Sequence, residues 1–372
     1  MTPHPADLPR GRVLGGKYQL EEPIGRGGFG AVYRAIQAPV GREVAVKVTW
    51  HAVDDPRLRA RFLREARVLA RITDPAVITL HDFGEEPDGL LYMVQALVVG
   101  RSLADVLDGG RRLDPARALA ITIGVLRALE AAHALGVVHR DIKPDNIMLT
   151  ADRDGREAVR VLDFGIAKLL EDDDGYQTTR GQTVGTPPYM APEQTRAKGI
   201  GPATDLYAAG VLLYRMLTGR LPYLADSHFE TMMLHRKAPL PPMDGLPPPI
   251  AAALTTALQK KPEDRHPDAA AMRRALEAIE PGGAITPRHL AAEDAAAPTV
   301  RAPSPVELDA SRLTPAAERP VTVKARPAAI DTADTADTAD TATDPIRRDA
   351  RRATALLLLA ATVAAGLGAW LL

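Results

Sequence analysis

His139-Arg140-Asp141-Ile142-Lys143-Pro144-Asp145-Asn146 places a carboxylate, an ammonium group and a carboxamide in one short loop. The apolar, β-branched run Val159 to Leu162 reads as a strand, and it leads into Asp163-Phe164-Gly165, which adds a second oxygen donor. Asp141 is a candidate base and Lys143 a cation beside it. Asn146 and Asp163 are candidate ligands for a hard metal ion. Phosphoryl transfer requires this set: an acceptor for a hydroxyl proton, positive charge against phosphate oxygens, and oxygen donors for magnesium. The eight residues alone carry little weight; what accompanies them decides the reading.

Upstream, Gly25-Arg26-Gly27-Gly28-Phe29-Gly30-Ala31-Val32 has the spacing Gly-x-Gly-x-x-Gly-x-Val between two strand-like runs, Tyr18 to Ile24 and Ala31 to Ala35. Glycine lets the backbone bend tightly and bring its N–H groups near phosphates. The strand-turn-strand context argues against a dinucleotide fold, where a helix follows the glycines. Val44-Ala45-Val46-Lys47 ends an alternating strand. Glu65 then falls in an amphipathic helical pattern whose apolar side is Phe62, Leu63, Ala66 and Leu69. A carboxylate there is placed to hold Lys47 over the phosphates of a nucleotide.

On these motifs the sequence resembles the eukaryotic-like (Hanks-type) bacterial serine/threonine protein kinases over roughly residues 17–280. The resemblance implies an α+β, two-lobed fold, with a mainly β N-lobe over about 17–95 and a mainly α C-lobe over about 96–280. It implies ATP as phosphoryl donor with Mg2+, for which Mn2+ is a compatible substitute, and proteins as substrates. Gly25, Gly27 and Gly30 correspond to the loop covering the phosphates, and Lys47 and Glu65 to an activating ion pair. Asp141 corresponds to the base, Lys143 to the γ-phosphate contact, and Asn146 and Asp163 to the magnesium ligands. Lysine two residues after the base marks serine/threonine specificity in the family. In Gly185-Thr-Pro-Pro-Tyr-Met-Ala-Pro-Glu193, Thr186 corresponds to the threonine that closes the substrate groove. Glu193 is expected to pair with Arg265, Asp205 to brace the catalytic loop, and His139 to hold Phe164 rather than act as an acid or base.

The segment Leu91 to Val98 resembles the strand and hinge joining the lobes. Gln95 takes the gatekeeper position, and the backbones of Ala96 and Val98 face the adenine edge. Ala96 departs from the acidic residue more common there, which removes a polar side chain but no backbone group. Ile24, Val32, Ala45 and Met148 are the expected apolar walls, although core residues would look the same in sequence. Arg140, directly before the base, implies a regulated activation loop. Thr178, Thr179 and Thr183 are the candidate phosphosites, since phosphothreonine gains charge-assisted bonds to arginine.

Two other readings compete. A pseudokinase would keep the fold and lose transfer, but Lys47, Glu65, Asp141, Asn146 and Asp163 are all present. A small-molecule kinase would generally lack the Gly185–Glu193 docking stretch.

The remaining sequence bears on location. Among 372 residues the formal net charge is −1, so nothing in the total points to nucleic acid, and the absence of cysteine excludes disulfides and thiolate metal sites. The first sixteen residues read as a loose leader without the apolar core of a secretory signal. Residues 281–352 turn to Ala, Pro, Thr and Asp and include a fourfold Asp-Thr-Ala repeat at 331–342, which reads as a flexible tether. From Ala353 to Leu372 the chain is uncharged, and ~30 Å of helix at ~1.5 Å per residue matches a bilayer core. Arg347, Arg348, Arg351 and Arg352 precede it, which places the kinase domain on the cytoplasmic side of the inner membrane. Ala364 and Gly368 have a spacing compatible with a homodimer of such helices, although the signal is slight in an Ala-rich span.

Overall fold

The structure, a computed structural model, describes residues 8–27, 30–49, 56–164, 186–196, 198–279 and 299–300. Two lobes follow from two patterns of hydrophobicity. In the first, β-branched alternation builds an antiparallel sheet of β1 (Val13–Leu14), β2 (Tyr18–Gly27), β3 (Gly30–Gln37), β4 (Arg42–Thr49), β5 (Leu80–Glu85) and β6 (Leu91–Ala96), in the order β1-β2-β3-β4-β6-β5. Alternate residues Tyr33, Ala35, Val44, Val46, Val48, Tyr92 and Val94 form one buried face with Leu14, Tyr18 and Leu20. The opposite face meets helix α1 (Pro56–Leu69). Phe62 and Ala66 are buried against Leu91 and Met93, with Leu63 and Leu69 packed beside them, which is the apolar side expected for this helix.

Gly25 and Gly27 pair with Val32 and Gly30 as β2 turns toward β3, so the glycine-rich segment is a strand-turn-strand as expected. Gly30 has a structural requirement besides any role toward phosphates. A Cβ there would strike the Val48 carbonyl of the adjoining strand β4.

The second lobe is helical. Helix α2 (Leu103–Val106) follows strand β7 (Val99–Ser102), and the long helix α3 (Pro115–His133) begins with Pro115 at its first turn and Asp114 accepting from the Arg117 N–H. Strands β8 (Ile147–Ala151) and β9 (Glu157–Val161) form a hairpin, and β7 pairs with β8. Helix α4 (Pro202–Thr218) is buried along almost its whole length and ends at Gly219, whose φ of 74° is the left-handed cap that glycine supplies. Helices α5 (His228–Lys237), α6 (Pro248–Ala257) and α7 (Ala269–Glu277) complete the lobe. One continuous core links Leu119, Val125 and Leu129 of α3, Leu206 to Leu213 of α4, Leu254 of α6 and Met272 of α7.

Two expectations about the ends of the domain change. Residues 13–14, read as part of a loose leader, form β1 on the edge of the sheet, and Leu14 is fully buried because the first sheet needs an apolar side chain to close that end. Residues 299–300, read as part of the tether, form a short strand β10 (Thr299–Val300) antiparallel to Val99 and Gly100 of β7. Among the described residues no helix is long and apolar enough to cross a membrane; the expected span at 353–372, its arginines and the repeat at 331–342 lie outside them.

Candidate active site

The chain between α3 and β8 is too short to form its own core, so it is held by bonds from its surroundings. The carboxylate of Asp205, in the first turn of α4, is buried and accepts from the His139 N–H at 2.8 Å and the Arg140 N–H at 2.7 Å. His133 at the end of α3 meets the same carboxylate at 2.8 Å through Nε2. These contacts hold Arg140 at a φ of 65°, in the left-handed region. Non-glycine residues there cost about 1–3 kcal/mol and persist only where the surroundings impose them.

His139 is fully buried. Its Nδ1 accepts from the Asp141 N–H at 3.2 Å, its Nε2–H donates to the Leu162 carbonyl at 2.8 Å, and its ring lies 4.7 Å from that of Phe164. Burial lowers its pKa, so the ring is neutral with one nitrogen accepting and the other donating. It therefore joins the loop of Asp141 to the strand end carrying Asp163. This is a packing role, as its position in the motif led us to expect.

Asp141 Oδ2 lies 3.1 Å from Lys143 Nζ and 3.2 Å from Asn146 Nδ2, which also donates to the Asp141 carbonyl at 2.8 Å. Lys143 Nζ donates onward to Thr186 Oγ1 at 3.0 Å. Asn146 sits in a short 3-10 turn (Pro144–Asn146), with its amide NH2 committed to Asp141 and its carboxamide oxygen left to accept a cation. Lys47, midway along the sheet on β4, pairs with Asp163 Oδ1 at 2.8 Å, both side chains being less than one-fifth exposed. Asp163 also has positive φ, 49°.

The ion pair expected between Lys47 and Glu65 is not formed. The Lys47 ammonium is taken by the less exposed carboxylate of Asp163. Glu65 instead lies 3.6 Å from Arg64.

Around the expected adenine position, Val32 and Ala45 pack together with Ile24 and Leu97. Leu97 was not anticipated, although its place between Ala96 and Val98 in the hinge was a usable signal. Met148, fully buried, comes from the lower lobe, where β8 sets it opposite Ser102 and Arg160. The Ala96 N–H donates to the Thr79 carbonyl at 2.9 Å, and Gln95 is buried at the end of β6. Thr178, Thr179 and Thr183 lie outside the described residues, as do Gly165 and Gly185.

The substrate-side segment is anchored as expected. Arg265 donates from Nη1 to Glu193 Oε1 at 2.7 Å and from Nη2 to Oε2 at 2.8 Å, a two-pronged pair buried on both sides. Thr204 Oγ1 donates to the same Glu193 at 2.9 Å. Sequence alone did not single out Thr204, His133 or Gln194, because each acts on a partner in a different element, for His133 and Gln194 one that is 72 and 54 residues away.

A β-rich lobe carrying a glycine turn and a partly buried lysine, above a helical lobe carrying an Asp-Lys-Asn loop, defines a two-lobed phosphotransferase fold. The comparisons agree. The protein kinase domain family matches residues 18–275. Serine/threonine-protein kinase pkn3 of Myxococcus xanthus is 40% identical over 73% of this chain and 51% of its own length. Serine/threonine-protein kinase PksC of Streptomyces coelicolor is 39% identical over 71% of this chain and 49% of its own. The crystal structure of the Mycobacterium tuberculosis PknI kinase domain superposes with a TM-score of 0.56 at 26% identity, covering 73% of this chain and 99% of that one. This chain belongs to the protein kinase family, among the bacterial Hanks-type serine/threonine kinases. It spans about half the length of these curated relatives.

Proposed function

We propose that this chain is a serine/threonine protein kinase that transfers the γ-phosphoryl group of ATP to protein hydroxyls. The observation that carries the reading is the convergence of Lys143 on both Asp141 and Thr186, at 3.1 and 3.0 Å. It sets a base, a cation and a groove-closing hydroxyl in one place. The carboxamide oxygen of Asn146 and the carboxylate of Asp163 are hard donors that fit Mg2+, which takes few protein ligands and completes its shell with phosphate oxygens. Bound Mg2+ would supply charge neutralisation at the phosphates.

In the reaction, Asp141 orients the substrate hydroxyl and accepts its proton. The hydroxyl oxygen bonds to the γ-phosphorus as the bond to the β–γ bridging oxygen breaks, and that oxygen leaves on ADP. Lys143 offsets charge on the transferring group, and Lys47 serves the α- and β-phosphates. Ile24, Val32, Ala45, Leu97 and Met148 enclose the adenine, with Ala96 and Val98 offering backbone groups to its edge.

The reading extends to regulation and place. Burial lowers the pKa of Arg140, and nearby Arg61 of α1 lowers it further. A phosphorylated activation-loop threonine would relieve that repulsion. Autophosphorylation at Thr178, Thr179 or Thr183 would supply that negative charge and give Arg140 charge-assisted bonds. Residues 353–372 anchor the enzyme in the cytoplasmic membrane, with the arginines before them on the same side as the kinase domain.

Incubation of the full chain with labelled ATP, Mg2+ and a generic protein acceptor tests the core of this reading, with Asp141→Asn as control. Label on serine or threonine with wild type only is the expected result. Label on no acceptor would identify a pseudokinase. Phosphopeptide mapping of the same reactions locates the loop site; an active enzyme with an unmodified loop would refute the autophosphorylation part.

A further inference from the structure

The peptide joining Arg140 to Asp141 sets the direction of the candidate base, and it is held at both ends. Its N–H, from Asp141, donates to His139 Nδ1 at 3.2 Å. Its carbonyl, from Arg140, accepts from Gln194 Nε2 at 2.9 Å. The other end of that carboxamide is also committed: Gln194 Oε1 accepts from the Ala191 N–H at 2.9 Å, while the Gln194 N–H donates back to the Ala191 carbonyl at 3.0 Å. This closed turn fixes the rotamer of Gln194 and aims its NH2 at the catalytic loop.

The partners of this loop come from different places. Asp205 belongs to a helix in the lobe's core, and His139 to the loop itself. Gln194 belongs to the segment 186–196, which carries the Thr186 bonded to Lys143 and the Glu193 bonded to Arg265. Two clamps therefore tie the substrate side to the catalytic loop: Lys143 to Thr186 through side chains, and Gln194 to the backbone beside Asp141. We propose that Gln194 is a positioning residue for phosphoryl transfer, coupling the placement of the substrate-docking segment to the orientation of Asp141. The proposal rests on the kinase reading above.

The chemistry of the side chain gives a discriminating test. Gln194→Glu keeps an oxygen for the Ala191 N–H but cannot donate to the Arg140 carbonyl. Gln194→Met keeps length and bulk and loses both bonds. If the loop bond matters, both variants lower kcat for a peptide substrate by about tenfold or more, the scale of loss expected from misplacing a reacting group. Dissociation constants for ATP, measured by calorimetry, stay within about twofold because the nucleotide contacts lie elsewhere. Melting temperatures fall by no more than several degrees, so both variants remain folded at the assay temperature. Wild-type kcat in Gln194→Glu would overturn the proposal, since only the Ala191 bond would then count. Loss of activity that merely follows loss of folded protein would overturn it too, assigning Gln194 a structural role. An inactive wild type would remove the kinase reading itself, whereas an active wild type matched by both variants would remove only this inference.

Discussion

At the scale of single residues, one ammonium and one carboxylate carry most of the risk. Lys47 lies in a β4 register between Val32 and Met93 and reaches Asp163 without disturbing the buried alternate positions. Lys47→Met preserves length and apolar stem. It is expected to lower transfer by at least about a hundredfold, given how much of such catalysis is electrostatic. Melting temperature should hardly change, and retained activity would contradict the role assigned to Lys47. Asp205 differs because it is fully enclosed and accepts from three donors. Replacing it by Ala orphans buried N–H groups at about 1–3 kcal/mol each. Denaturant unfolding should show a loss of several kcal/mol, together with loss of activity as Arg140 leaves its left-handed conformation. A stable, active Asp205→Ala protein would show that the brace is dispensable.

At the scale of elements, the segment 186–196 behaves as a clip between the catalytic loop and α4. Its most enclosed fastening is Glu193 with Arg265, supported by Thr204 at the start of α4. Removing one partner of a buried pair leaves the other charge uncompensated, so Arg265→Ala should cost about 3–5 kcal/mol of stability by urea unfolding. Arg265→Lys should recover only part of this, because the two-pronged geometry is lost. An unchanged unfolding midpoint for Arg265→Ala would rule out the clip. Helix α1 is the second element that bears on the site. Its apolar face is fixed by Phe62 and Ala66, yet its Glu65 makes no ion pair with Lys47, so its seating on the sheet and its pairing with the site are separable.

At the scale of the whole molecule, acid sensitivity follows from buried histidines. His139 and His235 are fully buried and have lowered pKa values, His235 to about 3, through burial and, for His235, the nearby Lys260 charge. In the unfolded chain both return to about 6.5. Between the folded and unfolded values the unfolded state binds the extra protons, so stability rises with pH up to about 6.5 and falls below it. His235 contributes about 1.4 kcal/mol of loss at pH 5.5 relative to pH 7.5, and His139 adds to it in the same direction. Urea midpoints measured at pH 7.5 and 5.5 should differ accordingly; a flat profile would mean the two rings are hydrated and charged. The membrane proposal is also tested on the full chain. Deleting residues 353–372 should release a soluble, active enzyme from the membrane fraction. A truncation that stays in that fraction would place the anchor elsewhere, and an inactive one would show that the anchor does more than localise.

Much of this protein was legible locally. The residues of 139–146 and 163–164 carry their own geometry, because a short loop that must place a base, a cation and an amide leaves few residue types able to serve. The alternation of β2 to β4 and the apolar face of α1 were equally plain, since period and burial are local properties of a strand or helix. Packing settled what local pattern leaves open. Leu14 became core because the sheet edge needed covering, and Lys47 took Asp163 over Glu65 because the nearer, drier carboxylate competes better. His133 and Gln194 became fasteners of the site only because distant segments fold against it, and hydrogen bonds made across such separations leave no trace in the sequence around either partner.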